Sequence, residues 1–412
     1  MPSRRLFLKS SALAMFGVGS VPGWLSRAVY AREIPQQRRK VLIAIFQRGA
    51  VDGLNMVIPH AEPAYYALRP SIAIPRPNGS ENAAIDLDGR FGLHPALSGL
   101  KRLWDERQLA IVEAVGSPDP TRSHFDAQDY MESGTPGLKA TPDGWLNRAL
   151  TREPHPAPLR AVSLSPDVPR SLRGRNEVIA VGNINDFQMK DPQAAAAFQS
   201  MYGNTADQIL NGTARETFEA VRTMQSIQKA PYTPANNAKY PNGRLGQSLQ
   251  QIARLIKGDV GLEVAFADVG GWDTHVNEAG AQPHTGQLAN LLRDFGDSLA
   301  AFSLDMGDRM ADITLVTMSE FGRTVKENGD RGTDHGHANV MFVLGGAVRG
   351  GTVYGDWPGL EREQLYEGRD LNVTTDFRSV LAELVTEQMG NREIANVFPG
   401  FAGRRGCGLL QA

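Results

Sequence analysis

Continuous apolar runs alternate with runs of helical spacing along most of this chain. Lys40-Val41-Leu42-Ile43-Ala44-Ile45-Phe46 is apolar after its first residue and rich in β-branched side chains. That composition predicts a strand buried on both faces. It ends in the loop Gln47-Arg48-Gly49-Ala50-Val51-Asp52-Gly53. The pattern then predicts a helix over Pro95–Arg107, a buried strand over Gln108–Val115 and a helix over Ser123–Glu132. Strand and helix in alternation predict a parallel sheet. The same pattern resumes further on. Leu245, Leu249, Ile252 and Leu255 recur at helical spacing, and Leu288, Leu291, Leu292, Phe295, Leu299 and Phe302 lay out one face of a longer helix. Leu262–Ala267, Ile313–Met318 and Val340–Leu344 read as strands, and Thr375–Met389 as the last long helix.

Residues from about 165 to 245 break this pattern. Asn183–Thr233 is polar, with helices predicted at Pro192–Met201 and Ala214–Gln228, and Pro231, Pro234 and Pro241 follow. The stretch reads either as an insertion or cap on the α/β domain, or as a plain helical layer of it.

The N-terminus follows another logic. Arg4 and Arg5 precede an uncharged stretch, Ser10–Leu25, and Val29-Tyr30-Ala31 puts small or β-branched residues where a signal peptidase cuts. This predicts a twin-arginine signal over residues 1–31, followed by an α/β domain over 40–405. The uncharged stretch is shorter than the roughly 20 residues of a membrane span, and Pro22 and Gly23 interrupt it. The expectations are passage through the twin-arginine translocase, a periplasmic destination and no stable membrane span in the mature chain.

Loss of residues 1–31 removes four basic and no acidic residues, leaving 39 basic against 45 acidic and a net charge of −6. Such a chain has no basic footprint for nucleic acid. The single cysteine, Cys407, excludes an intramolecular disulfide and a thiolate metal cluster.

In parallel sheets, chemistry gathers in loops at the carboxyl ends of strands. Four such loops are rich in polar residues: 48–53, Thr121-Arg122-Ser123-His124, Gly270–His275, and the span from Ser319 to His337. Half of the eight histidines fall between His275 and His337. With no thiolate available, Asp273, His275, Asp334, His335 and His337 point to a carboxylate–histidine metal site. Imidazole with carboxylate suits Zn, Mn or Fe; carboxylate oxygen alone suits Mg or Ca. Ser123 opens a helix, as an N-cap or as a nucleophile at the anion-favouring end, with Thr121 the competing hydroxyl. Arg122 stands beside it. Glu320 and Arg323 follow a strand end, as a surface pair or as site residues. His94 and His155 read as structural.

Taken together, Asp52-Gly53-Leu54-Asn55, Ser123-His124-Phe125-Asp126-Ala127-Gln128, Gly271-Trp272-Asp273-Thr274-His275, Ser319-Glu320-Phe321-Gly322-Arg323-Thr324 and Thr333-Asp334-His335-Gly336-His337-Ala338-Asn339 resemble an exported bacterial family, domain of unknown function 1501. The resemblance covers nearly the whole chain. It implies the alkaline phosphatase-like superfamily of phosphatases, sulfatases and their relatives. That in turn implies a three-layer α/β/α sandwich with a mainly parallel sheet, one or two divalent metals, and a Ser or Thr nucleophile opening a helix. By that resemblance Asp52 matches the bridging metal carboxylate and Ser123 the nucleophile. Asp273 and His275 match ligands of one metal, which His335 or His337 completes. The superfamily phosphatases carry adjacent Asp and His after the penultimate core strand, where this chain has Ser319-Glu320-Phe321. Either Glu320 stands in for them, or Asp334-His335 folds back.

The expected function is an exported, metal-dependent hydrolase of phosphate or sulfate esters. It would hold Zn, Mn, Mg or Ca and act on an anionic small-molecule or envelope substrate, with Arg122 or Arg323 on the non-bridging oxygens. The competing expectation is a non-catalytic, metal-containing binding protein of the cell envelope on the same fold.

Overall fold

Val41–Gln47 (β1) is buried at every position, as its sequence requires. Alternate side chains of a strand point to opposite faces, so Val41, Ile43 and Ile45 enter one core while Leu42, Ala44 and Phe46 enter another. The first core is closed by Arg244–Lys257 and Gln287–Met306, the second by Trp145–Ala149 and Phe377–Glu387. The result is a three-layer α/β/α sandwich. These features come from a computed structural model that describes residues 39–153, 156–184, 221–403 and 406–411. The predicted signal and the predicted helix at 192–201 lie outside the described residues, as does His155.

The remaining strands of the central sheet are Leu109–Gly116 (β2), Ala161–Ser163 (β3), Ile179–Ala180 (β4), Val264–Val269 (β5), Ile313–Met318 (β6), Asn339–Gly345 (β7), Thr352–Tyr354 (β8) and Thr375–Asp376 (β9). Their order is β8-β2-β7-β6-β1-β5-β3-β4, with β9 also pairing β2. All run parallel except β7, which is antiparallel to both β2 and β6. The reversal places the amino end of β7 beside the carboxyl ends of its neighbours. Residues 333–338 therefore join the loops that follow β1, β2, β5 and β6.

The helices used below are His124–Ser133 (α1), Trp145–Ala149 (α2), Arg244–Lys257 (α3), Gln287–Met306 (α4) and Phe377–Glu387 (α5).

Two local expectations are corrected, and one element is new. The helix read over Pro95–Arg107 is a 3-10 turn, Pro95–Leu100, running into a short α-helix, Lys101–Asp105. Leu97 leaves helical dihedrals there, and the His94 ring accepts a bond from the Ala96 amide, a structural use of that histidine. The stretch after 165 is neither all insertion nor all helical layer, because Ile179–Ala180 is an edge strand of the central sheet. Helical residues 221–229 appear further on. A small antiparallel sheet of Val57–Ile58, Ile85–Asp86 and Gly92–Leu93 was not foreseen, since two-residue strands carry no periodicity. No described helix is long and apolar enough to cross a membrane.

Candidate metal centre

Three imidazoles and one carboxylate converge at the carboxyl end of the sheet. His124 is the first residue of α1, Asp273 and His275 lie in the loop after β5, and His335 precedes β7. His335 Nε2 lies 3.0 Å from His124 Nε2 and 3.0 Å from His275 Nε2. Asp273 Oδ1 is 3.0 Å from His275 Nε2 and 3.3 Å from His335 Nε2, and Oδ2 is 3.4 Å from His124 Nε2. Donor atoms of His124, Asp273 and His335 all lie within 4.8 Å of one another. Ligands about 2.1 Å from a tetrahedral ion sit about 3.4 Å apart, and the separations above run from 3.0 to 3.4 Å.

The other ring nitrogens each face an acceptor. His124 Nδ1 faces Glu320 Oε1 at 2.8 Å, His275 Nδ1 faces Asp334 Oδ1 at 3.2 Å, and His335 Nδ1 faces the Arg122 carbonyl oxygen at 2.9 Å. Carbonyls and ionised carboxylates only accept. Each Nδ1 can therefore donate to its neighbour, and each ring turns its Nε2 towards Asp273. A proton or a metal ion shared among these nitrogens and the carboxylate satisfies contacts this close. A ring N–H given to carboxylate or carbonyl is also the usual outer shell of a metal-bound histidine. The residues fit a divalent metal.

The surrounding charges agree. Burial pushes the Asp273 carboxyl up, but the Arg323 guanidinium and the nearby His275 and His124 hold it below the usual carboxylate range. Glu320 is likewise driven up by burial and brought lower by bonds from His124, Gln128 and the Gly49 amide. Asp334 is also lowered, its Asn328 and His275 partners outweighing burial. The His124 imidazole is raised, chiefly by its bond to Glu320, and burial lowers His335. Phe321 is buried, with its ring 5.0 Å from those of both His124 and His335, and walls one side of the cluster.

The loops pack at backbone distance. Gly49 has φ +116°, and a Cβ there would lie 2.7 Å from the Asp273 nitrogen. At Gly322 a Cβ would lie 1.8 Å from the Ala338 oxygen. Both glycines let one strand-end loop rest directly on another.

The structure brings together Asp273, His275, His335, Glu320 and Asp334 from the sequence-expected set, with Glu320 and Asp334 behind the imidazoles. It does not bring in Asp52. Both oxygens of Asp52 are held by Arg69, at 2.5 and 3.0 Å, in a fully buried pair. Beside it lies buried Glu278, whose carboxyl is pushed well up by burial and by Asp52. His337 turns elsewhere and donates from Nε2 to the Ser117 carbonyl at 3.1 Å.

Neither expected arginine faces the cluster freely. Arg323, 2% exposed, gives its N–H groups to the carbonyls of Gly49, Ala50, Trp272 and Thr333, and to Asp273 Oδ1 at 2.7 Å. It positions Asp273 instead of holding a ligand. Arg122 is tied to Asp370 at 2.6 Å and Glu367 at 2.7 Å, so only its backbone carbonyl serves the cluster. Ser123 is the N-cap residue of α1, yet its side chain makes no capping bond. Thr121 Oγ1 accepts from the Ser123 amide at 3.3 Å.

Sequence reasoning missed His124. It lies some 150 residues before the other ligands, outside the histidine-rich stretch. The available signal was its place in a strand-end loop, which is where the other ligands also lie.

The family model described as protein of unknown function (DUF1501) matches residues 108–397, and the chain belongs to that family. No curated protein sequence matches it. Among solved structures it is similar to the lipoteichoic acid synthase LtaP from Listeria monocytogenes, at 10% identity and a TM-score of 0.31, over 75% of this chain and 66% of that one. It is also similar to the PsFucS1 sulfatase from Pseudoalteromonas sp., at 10% identity and a TM-score of 0.34, over 81% of this chain and 68% of that one. The chain thus spans about two thirds of the length of each.

Proposed function

We propose that this member of the DUF1501 family is an exported, metal-dependent hydrolase of phosphate or sulfate esters. The observation that carries the reading is the convergence of three Nε2 atoms on Asp273. His124, His275, His335 and Asp273 would hold the ion, and three nitrogens with one oxygen favour Zn, Mn or Fe over Mg or Ca. A divalent ion bound there supplies a Lewis acid for an ester oxygen and screens the charge that develops on it.

The protein's own groups do the rest. Glu320 and Asp334 keep protons on the outer nitrogens of His124 and His275, so the inner nitrogens stay basic. Arg323 fixes the Asp273 carboxylate. Ser123 supplies the attacking hydroxyl. It sits next to His124 at the start of α1, where backbone N–H groups favour an anion, and it makes no cap bond. Its oxygen would bond to phosphorus or sulfur as the alcohol of the ester departs, and water would then release the acid. Both arginines are committed elsewhere, so substrate oxygens would be met by the α1 amides.

The test is turnover of 4-nitrophenyl phosphate and 4-nitrophenyl sulfate by protein loaded with Zn²⁺ or Mn²⁺. Ser123→Ala should abolish turnover and leave bound metal unchanged. Retained activity in that variant removes the nucleophile assignment. Metal binding without turnover of either ester by the parent protein favours a binding protein instead.

A further inference from the structure

Thr274 stands between Asp273 and His275, and Thr333 stands two residues before His335. Both threonines are buried, and both hydroxyls donate to one atom, Glu278 Oε2, at 3.0 and 2.9 Å. Glu278 thus joins the loop after β5 to the segment before β7. The two backbones also touch. The Thr333 amide donates to the Thr274 carbonyl at 3.3 Å, and a Cβ on Gly332 would lie 2.3 Å from the His275 carbonyl oxygen.

The chain of bonds continues inward. Glu278 Oε1 accepts from Asn55 Nδ2 at 3.3 Å. Burial, the charge of Asp52 and a bond to Asp52 push the Glu278 carboxyl well up, so it keeps a proton and gives it to Asp52. Asp52 is held by Arg69, which also donates to the carbonyls of Thr324 and Val325 at 2.8 Å each, after β6. Arg69, Asp52, Glu278, Thr274 and Thr333 are each at most 1% exposed. One buried series of side chains therefore connects the loops after β1, β5 and β6 with the segment before β7.

Burying an acid costs free energy unless its bonds are made. An apolar side chain of the same size would fill the space without that cost. It would not draw hydroxyls from two separate loops to one point. Metal-binding side chains have to be held to within about 0.5 Å, and here His275 and His335 come from different loops yet bring their Nε2 atoms to 3.0 Å.

We propose that Glu278 is a positioning residue: its carboxyl clamps Thr274 to Thr333 and so sets Asp273 and His275 against His335. That these three are ligands rests on the metal-dependent reading; the clamp does not.

Two substitutions separate a clamp from simple packing. Glu278→Gln keeps a neutral side chain that accepts both hydroxyls and donates to Asp52. Glu278→Leu keeps the bulk and loses every bond. Competition of the Zn²⁺-loaded protein with a chelator should show affinity weakened about tenfold in Glu278→Leu and within about twofold of the parent in Glu278→Gln. Hydrogen–deuterium exchange of the metal-free protein should be faster in Glu278→Leu over both 270–277 and 328–335, and unchanged over β1 and α4. Thr333→Val removes one hydroxyl alone. It should move both loops in the same direction, and it carries the test where Glu278→Leu does not fold. Exchange that stays at the parent's level in either loop overturns the clamp, as does a Glu278→Gln variant as impaired as Glu278→Leu. Zinc affinity equal in the parent and every variant overturns the positioning role. A parent that binds no zinc, with loops that loosen together in the variants, removes the metal centre and sustains the clamp.

Discussion

Glu320 stands behind His124, on the side away from the other imidazoles. It is 1% exposed and accepts from His124 Nδ1, from Gln128 Nε2 at 2.9 Å and from the Gly49 amide at 2.9 Å. Its charge fixes the His124 tautomer and raises the basicity of Nε2. Glu320→Gln keeps the shape and removes that charge. Loss of such an outer partner costs about 10- to 100-fold in metal affinity. Competition with a chelator should show this weakening, whereas unchanged affinity would show that Glu320 only packs. At this scale the sequence was partly legible. Asp273, His275 and His335 stand out because aspartate and histidine sit close together after strands. Their partners do not stand out, because a carboxylate behind an imidazole and one engaged by arginine look the same in a sequence. Asp52 is the example: it follows the right strand but is held by Arg69, more than a dozen residues away.

The reversed strand β7 shows what an element contributes beyond its own residues. VMFVL reads as a strand from composition alone, but no periodicity carries its direction. Direction is what swings His335 into the loops after β2 and β5. Long helices were legible for the opposite reason, since α3 and α4 are longer than three turns and one-sided. The last turn of α4 also anchors residues that the sequence left ambiguous. Asp305, 2% exposed, accepts from Tyr232, Tyr240, the Ala235 amide and Lys257, and so pins residues 232–240 onto the α/β core. Burial pushes its carboxyl up, but those donors bring it below the usual range. A carboxyl lowered in the folded state contributes stability above its unfolded pKa, about 3.9, and loses it as pH falls through the folded value. Asp305→Ala should therefore destabilise the protein by about 3 kcal/mol at pH 7. In denaturant melts the deficit should shrink below about pH 4. A deficit that is constant with pH would mean the charge plays no part.

For the whole molecule, the candidate metal centre is assembled from loops at one end of the sheet, and export is the expectation that the N-terminus carries. The paired Arg4 and Arg5 predict the route. Replacing both with lysine should leave precursor in the cytoplasm on fractionation, and normal export of that variant contradicts a twin-arginine signal. The central claim is that four side chains from three separate loops make one metal centre. The direct measurement is elemental analysis of protein purified without an affinity-metal step, then dialysed against Zn²⁺ or Mn²⁺ and desalted. The account predicts about one ion per chain, lost in both His124→Ala and His335→Ala while circular dichroism shows the fold intact. A folded parent protein that retains no metal, or a His124→Ala variant that retains all of it, contradicts the account.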